Sequence, residues 1–272
     1  MPSRDTTTEP RLRAVFLGSG SSGNATVVTD GATTLLLDCG FSARECARRL
    51  ETAGISATSV SAILLTHEHR DHVCGVDVFA RRHGIPVFGT RGTLGASRLA
   101  EHVHDTRVVR PQERVRVGTI DVLPFRTSHD AEEPVGYRFE SACGTHLGIA
   151  TDTGTLTEET ASALADCDLI GLESNHDTAM LDTGPYPFFL KARIRSERGH
   201  LSNADAADAI VDLAGARLRA VFALHVSRTN NTPELAEKAL RERLRSAGID
   251  VPVRAARQDT ACSSEGEALA GV

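Results

Sequence analysis

The stretch that decides the fold is Thr66-His67-Glu68-His69-Arg70-Asp71-His72, which follows the apolar run SAILL at residues 61–65. Side chains alternate along an extended segment, so His67 and His69 lie on one side of the chain. Asp71 and His72 follow at the start of a predicted helix, where the chain turns back towards His67 and His69. Imidazole and carboxylate groups at this spacing predict a metal site for two cations, with zinc, manganese and iron as candidates.

The composition limits the kinds of protein that this motif can belong to. The 272 residues carry a formal net charge of −6, which excludes a generally basic protein that coats phosphate backbones. Aromatic residues make up 4% of the chain and Trp is absent, so a stacking platform for single-stranded nucleic acid is not expected. A hydrophobic fraction of 40% predicts a substantial core.

Three features favour a cytoplasmic protein without a membrane partner. The apolar runs are too short to span a bilayer. The first residues, MPSRDTTTEPR, contain no apolar signal segment. The six cysteines form no CxxC pair, which is typical of reduced thiols rather than a disulfide framework.

Runs rich in Val, Ile, Leu and Thr alternate with amphipathic segments, and no Ser/Gly/Pro-rich linker interrupts them. This pattern predicts one α/β domain over residues 11–257. Polar composition predicts disordered tails at 1–10 and 258–272. VRVGTIDVLPFRT, residues 115–127, is predicted to be strand-like. The spacing of apolar residues and caps predicts helices at about 42–53, 73–82, 157–165, 202–214 and 233–246.

Further Asp and His residues stand at the ends of predicted strands, namely Asp38, His129, Asp152 and His225, and the last three are candidate ligands. The ends of neighbouring strands meet at one edge of a sheet, where binding sites are usually built. His129 can complete a nitrogen ligand set, and Asp152 can supply the anionic bridge that a two-metal site needs. The histidines predicted to lie on the surface are His83, His102, His104 and His146.

The motif HxHxDH after an apolar strand, followed by isolated His, Asp and His at strand ends, resembles the metallo-β-lactamase superfamily over about residues 12–250. The resemblance implies a single-domain, four-layer αββα sandwich of the α/β (α+β) class. It implies that Asp38 braces the site. It also implies these ligands for two divalent metal ions, Zn²⁺ or Mn²⁺: His67, His69 and His129 on one, Asp71, His72 and His225 on the other, and Asp152 between them.

Three more segments narrow the substrate, namely GSGSSGN (18–24), ESNHD (173–177) and RGHLSN (198–203). With Asn230-Asn231 they are similar to the YycJ (WalJ) type, small bacterial exonuclease-like members of the superfamily. The resemblance implies a phosphodiesterase that acts as a 5′-3′ exonuclease on double-stranded DNA ends. The short interval between Asp152 and His225 leaves no room for the clamp domain of longer RNA-processing relatives.

These segments suit a phosphate substrate, because a Ser/Gly loop and a helix start offer amides and hydroxyls to an anion. The basic run from Lys191 to Arg198 leads into the third segment and is predicted to follow a nucleic-acid backbone. The predicted substrate-binding residues are Ser19, Ser21, Ser22, Asn24, Asn175, His200, Ser202 and Asn203.

The chemistry predicts the remaining roles. Asp71 or Asp152 is expected to hold the nucleophilic water, and His200 or His176 to protonate the leaving oxygen. Glu173 is expected to orient the ligands from behind. Two alternatives stay open: a thioester or lactam hydrolase of the glyoxalase II or β-lactamase kind, and a non-catalytic metal-binding regulatory protein.

Overall fold

The structure, a computed structural model, describes residues 11–265. Its first strand, β1 (Arg13–Gly18), shows how the layers arise. Ala14 and Phe16 pack in one apolar cluster, whereas Val15 and Leu17 pack in another. Because side chains alternate along a strand and both sets are buried, this strand is covered on both faces.

Two seven-stranded sheets share this pattern. The other strands of the first sheet are β2 (Ala25–Thr29), β3 (Thr34–Leu37), β4 (Ala62–Leu64), β5 (Val87–Gly89), β6 (Thr106–Val108) and β14 (Cys262–Ser263). The second sheet contains β7 (Val115–Val117), β8 (Ile120–Arg126), β9 (Val135–Glu140), β10 (His146–Ala150), β11 (Leu169–Glu173), β12 (Ala220–Leu224) and β13 (Val253–Ala255). The strand orders are β14-β1-β2-β3-β4-β5-β6 and β13-β12-β11-β10-β9-β8-β7.

Helices cover the outer face of each sheet. The helices are α1 (Ala43–Thr52), α2 (Arg70–Val73), α3 (Val76–His83), α4 (Arg91–Ala96), α5 (Glu158–Leu164), α6 (Thr178–Thr183), α7 (Phe188–Ile194), α8 (Asn203–Leu213) and α9 (Pro233–Ser246). Apolar residues of α1, α3 and α4 pack on the first sheet, and those of α5, α8 and α9 pack on the second. None of the helices within residues 11–265 combines the length and the apolar character that crossing a bilayer requires.

The apolar cluster that contains Ala14 and Phe16 fills the space between the two sheets. There the ring centroids of Phe16 and Phe222 lie 4.9 Å apart. The hydroxyl of the buried Tyr137 on β9 donates to the carbonyl of Leu65 at 2.7 Å and so ties the second sheet to the end of β4. Three clusters between four layers make the αββα sandwich, and the predicted fold class is confirmed.

The sheets place their polar strand ends at one edge of the sandwich. Strands β3 and β4 run parallel, as do β10, β11 and β12. Asp38 follows β3, Asp152 lies two residues beyond β10, Glu173 ends β11 and His225 follows β12. Parallel strands carry their carboxyl ends to the same side, which is where the α/β folds bind ligands.

Two sequence predictions differ from the structure. The run 115–127 is a hairpin rather than one strand, because Gly118 takes a φ of 59° and allows the turn between β7 and β8. The predicted C-terminal tail is wrong for residues 258–265, where Gln258 is buried and Cys262 and Ser263 pair with Phe16 and Val15. The rest of that tail, 266–272, and the predicted tail 1–10 lie outside the described residues.

The first prediction concerns this C-terminal segment. Ending the chain after residue 260 removes the β14 pairing and the bonds of Ser264 to Ala14 but keeps Gln258. Since each lost hydrogen bond costs about 1 kcal/mol, we expect the free energy of unfolding to fall by about 2–4 kcal/mol relative to a chain ending at residue 265. Thermal unfolding of the two chains checks this, and equal melting temperatures would contradict it.

Candidate metal centre

The carboxylate of Asp38 organises the histidine motif from below. It accepts hydrogen bonds from the amide of Thr66 at 2.9 Å, from the Thr66 hydroxyl at 2.9 Å and from His72 Nδ1 at 2.8 Å. All three residues are buried. Asp38 therefore fixes the ring of His72 and the chain just before His67, as expected of a bracing residue.

In two other histidine rings of the cluster, those of His67 and His225, one nitrogen is hydrogen-bonded and the other is not. His67 Nδ1 lies 3.0 Å from the Thr66 hydroxyl, and His225 Nδ1 lies 2.9 Å from Glu173 Oε1. The Nε2 atoms of both rings are buried and have no hydrogen-bond partner among the described residues. A buried imidazole with one anchored and one unpaired nitrogen has the arrangement of a metal ligand.

The predicted ligands converge in overlapping groups whose ligand atoms lie within 4.8 Å of one another. One group contains His67, His69 and His129, and another contains Asp71, His72 and His225. Asp152 lies between the two groups. Its Oδ2 is 3.3 Å from His72 Nε2, and its Oδ1 is 3.2 Å from His225 Nδ1 and 3.9 Å from His129 Nε2.

The backbone is strained where it delivers these residues. Asp38, Asp152 and His225 have φ values of 60°, 53° and 51°. Non-glycine residues rarely take such values, and they concentrate at functional sites. Each of the three follows a strand, so the left-handed turn directs its side chain into the space between the strand ends.

The electrostatic environment divides the histidines into two sets. Burial lowers the pKa of His67 and of His129, and neighbouring histidines act in the same direction, so both rings are neutral at pH 7. Burial opposes protonation of His225 as well, but Asp152, Asp71 and Glu173 outweigh it and raise its pKa to about 10. The pKa of His72 is likewise raised against burial, by Asp152 and Asp38.

Glu173 links the cluster to the segment that follows α7. Its Oε1 accepts from His200 Nδ1 at 2.8 Å as well as from His225, while its Oε2 accepts from the amides of Thr153 at 2.8 Å and Leu201 at 3.3 Å. The carboxylate is fully buried. It therefore positions two histidine rings at once, from the place at which the sequence predicted a supporting residue.

Several residues that sequence reasoning assigned to the substrate lie in the interior with bonded side chains. Ser202 caps α8 by accepting from the amide of Asp205, and Asn203 exchanges hydrogen bonds with Asn231 and accepts from the Ser174 hydroxyl. Asn175 donates to the carbonyl of His225 at 2.8 Å.

Ser19 and Asn24 are also buried, and both brace the cluster. The Ser19 hydroxyl accepts from the amide of His225 at 2.8 Å. Asn24 Nδ2 lies 3.0 Å from His72 Nε2 and 3.4 Å from Asp71 Oδ2. Ser21 and Ser22, in contrast, are exposed.

A cavity of about 290 Å³ opens above the cluster. Its lining includes Ser21, Asn175, Tyr186, Arg193 and His200, besides five of the candidate ligands, His69, Asp71, His129, Asp152 and His225. His176 is buried and does not line it, so the structure brings His200 but not His176 to the open side of the cluster.

The helix α7 at the rim of this cavity was not predicted. It turns Phe188 and Phe189 to solvent, with 87% and 73% of their surfaces exposed. The adjoining sequence Pro187-Phe188-Phe189-Leu190 before a basic run is the signal that could have indicated it. Thr66 was also missed, since a threonine before a histidine carries no signal by itself.

The architecture and the cluster define a protein of the metallo-β-lactamase fold. The solved structure of the metallo-β-lactamase fold protein YhfI from Bacillus subtilis superposes with a TM-score of 0.71 at 16% sequence identity, over 93% of this chain and 99% of that one. The model of the beta-lactamase superfamily domain matches residues 33–225.

Closer relatives narrow this class. The chain is 34% identical to exodeoxyribonuclease WalJ of Streptococcus pneumoniae over 255 residues, which span 90% of this chain and 94% of that protein. It is 35% identical to exodeoxyribonuclease YycJ of Bacillus anthracis over 246 residues, 88% of this chain and 92% of that protein. The chain therefore belongs to the beta-lactamase superfamily, in the family that contains WalJ and YycJ.

The second prediction tests the brace formed by Asp38. Thr66→Val keeps the shape of the side chain but removes the hydroxyl that donates to Asp38. We expect it to lower the free energy of unfolding by about 1–3 kcal/mol, because a buried carboxylate loses a partner. Thr66→Ser keeps the hydroxyl and should cost less. Urea denaturation measures both variants, and a valine variant as stable as the serine variant would contradict the role of the hydroxyl.

Proposed function

We propose that the protein is a cytoplasmic, metal-dependent phosphodiesterase that degrades double-stranded DNA from its ends in the 5′-3′ direction. The observation that carries the proposal is the buried His/Asp cluster at the base of an open cavity, in a chain that is similar along nine-tenths of its length to a protein named exodeoxyribonuclease. The six cysteines, all within the described residues, form no disulfide bond there, which suits a reducing compartment.

The residues present fit two divalent cations, Zn²⁺ or Mn²⁺. His67, His69 and His129 would hold one, and Asp71, His72 and His225 the other, with Asp152 between them. The unpaired buried Nε2 atoms of His67 and His225 support this assignment, because an unsatisfied buried nitrogen is costly unless a ligand completes it. His72 and His225 would give up their protons to act as ligands.

Divalent cations held there supply Lewis-acid polarisation of a scissile phosphate and make water acidic enough to act as a nucleophile at neutral pH. Asp71 and Asp152 both line the cavity, but Asp71 is the more accessible carboxylate, since 25% of its side chain is exposed against 3% for Asp152. Asp71 would therefore accept a hydrogen bond from the attacking water and orient it. Asp152, enclosed by three histidine rings, would hold the two halves of the cluster together.

His200 would act as the general acid. Its ring lines the cavity, its side chain is 21% exposed, and Nδ1 is held at 2.8 Å by Glu173. Burial opposes its protonation, but Glu173 overcomes this and raises the pKa of His200, so the ring carries a proton to donate to a leaving oxygen. His176 is buried outside the cavity lining, which disfavours it for this step.

The rim of the cavity favours nucleic acid over a small lactam or thioester. Phe188 and Phe189 present exposed rings on which the unpaired bases at a DNA end can stack, a platform that the low aromatic content of the sequence did not predict. Arg193 pairs with Asp130, and Arg195 with Asp182, in exposed contacts. Exposed ion pairs contribute little stability, so both guanidinium groups can exchange their carboxylates for backbone phosphates.

The third prediction tests the reaction itself. The purified protein, reconstituted with Zn²⁺ or Mn²⁺, is offered end-labelled double-stranded DNA, RNA, a lactam and a thioester in parallel. We expect nucleotides to be released from the 5′ end of the DNA, and the rate to fall by at least about 10³-fold on chelation or in Asp71→Ala, because the group that orients the nucleophile is lost.

The control is His104→Ala, which removes an exposed histidine that belongs neither to the candidate ligands nor to the cavity lining and should leave the rate unchanged. Cleavage of only the lactam or the thioester would overturn the proposal in favour of the other hydrolases of the fold. Metal binding without turnover of any of the four substrates would favour a regulatory protein, and full activity in Asp71→Ala would reveal a contaminating nuclease.

The fourth prediction separates His200 from His176. We expect His200→Ala to lower kcat on DNA by about 10²-fold, as loss of a general acid does. On a p-nitrophenyl phosphodiester, whose leaving group needs no proton, the same variant should retain most of its rate. His176→Ala should change neither substrate's kcat by more than about threefold. Equal losses on both substrates for His200→Ala would assign that ring to binding rather than proton transfer.

A further inference from the structure

The glycine-rich loop at residues 19–24 is fastened to the candidate metal centre by its two ends. At one end the Ser19 hydroxyl accepts from the amide of His225. At the other end the amide of Asn24 donates to the carbonyl of Asp71 at 2.8 Å, and the carbonyl of Asn24 accepts from the amide of Gly40 at 2.9 Å. The amide of Ser19 also donates to the carbonyl of Arg257 at 3.1 Å. None of these bonds involves the side chain of Gln258, so they fix the inner part of the loop independently of that side chain.

The outer part of the loop, Ser21 to Gly23, is fastened differently. Both serines are exposed, and Ser21 lines the cavity above the cluster. One turn bond, from the amide of Gly23 to the carbonyl of Gly20 at 3.1 Å, closes this part on itself. Within residues 11–265, the hydrogen bonds that the backbone of this part makes outside the loop go to one side chain, Gln258.

The side-chain amide of Gln258 forms hydrogen bonds with the loop backbone through both its oxygen and its nitrogen. Its Oε1 accepts from the amide of Ser22 at 2.9 Å, and its Nε2 donates to the carbonyl of Gly23 at 2.7 Å. A Cβ added at Gly20 would lie 2.7 Å from Gln258 Oε1, so only glycine allows the side chain to approach the backbone this closely. The geometry is that of a side chain pressed along the loop.

Gln258 is itself held firmly. Arg49 Nη1 donates to the Gln258 carbonyl at 2.8 Å and to the Leu17 carbonyl at 2.7 Å. The Arg49 guanidinium stacks on the ring of Phe41 at 3.9 Å and bonds Glu45 at 2.7 Å. Only 7% of the surface of Gln258 is exposed. Through Arg49, the residue that holds the loop is therefore fixed to α1 and β1.

We propose that Gln258 is a positioning residue, which fixes the loop so that the hydroxyl and amide of Ser21 at the cavity rim, with the exposed hydroxyl of Ser22 beside them, meet the phosphate backbone of the substrate. The inference rests on the proposed function for its substrate. The part of the loop that Gln258 holds contributes little to the core, so its order serves the cavity. Hydroxyls and backbone amides at such a rim are groups that bind phosphate oxygens.

The experiment compares Gln258→Ala with Asp259→Ala, an exposed neighbour in the same segment whose carboxylate pairs with Arg228. The backbone bond from Arg49 to residue 258 survives in both variants. Hydrogen exchange on the metal-loaded protein comes first. In Gln258→Ala we expect the amides of Ser22 and Gly23 to exchange at least about tenfold faster, while the amide of Asn24, bonded to Asp71, stays protected. Asp259→Ala should match the wild type.

Kinetics on double-stranded DNA then separate positioning from a structural role. The lost contacts act equally on bound substrate and transition state, so Gln258→Ala should raise KM by about five- to tenfold with kcat within about twofold. Gln258→Glu keeps the acceptor for Ser22 but loses the donor to Gly23, so its KM should lie between those of the wild type and Gln258→Ala.

Each outcome decides one of the two proposals. If the amides of Ser22 and Gly23 exchange at unchanged rates in Gln258→Ala, then Gln258 does not hold the loop. If they exchange faster but KM is unchanged, then Gln258 holds the loop but has no positioning role. A fall in kcat alone would indicate a structural effect and also overturn it. If the wild type degrades no DNA, the proposed function fails and takes the positioning role with it, while the exchange rates still decide whether Gln258 holds the loop.

Discussion

The hydrogen bonds of the buried Asp38 carboxylate are the interaction on which the site depends. Asp38 stands at the end of β3 with a left-handed backbone, and its oxygens hold Thr66, just beyond β4, and His72 on α2. A buried carboxylate is costly unless its oxygens are satisfied, and here charge and hydrogen bonds compensate one another. The orientation of the ring of His72 and the exit of the chain at His67 follow from this one group.

Close backbone approach completes the arrangement. A Cβ at Gly40 would lie 1.6 Å from the carbonyl oxygen of Asp71, so only glycine lets the segment after Asp38 pass against the histidine motif. The second sheet adds Asp152 and His225 by the same device, a left-handed residue after a buried strand. The strain at these residues is borne by apolar packing on both faces of each sheet.

The distribution of charge explains how an acidic chain can suit a phosphate substrate. Part of the net charge of −6 resides in carboxylates such as Asp38, Asp152 and Glu173, which are buried against histidine rings and are not exposed at the protein surface. The exposed cations Arg193 and Arg195 lie beside the cavity in weak ion pairs. Local charge at the rim, rather than the overall sum, therefore governs what the cavity attracts.

The sequence by itself determined the fold class, most helix positions and the set of side chains that converge, because the HxHxDH motif and the polar strand ends are local patterns. It could not distinguish side chains that face the cavity from those that brace it. Ser202 caps helix α8, Asn203 belongs to a buried network of amide side chains, and His176 is buried in the interior. Nor could it show that residues 258–265 join β1, or that α7 exposes its phenylalanines. Those outcomes depend on contacts between residues far apart in the chain, such as Gln258 with Ser22, and such contacts exist only once the two sheets have packed together.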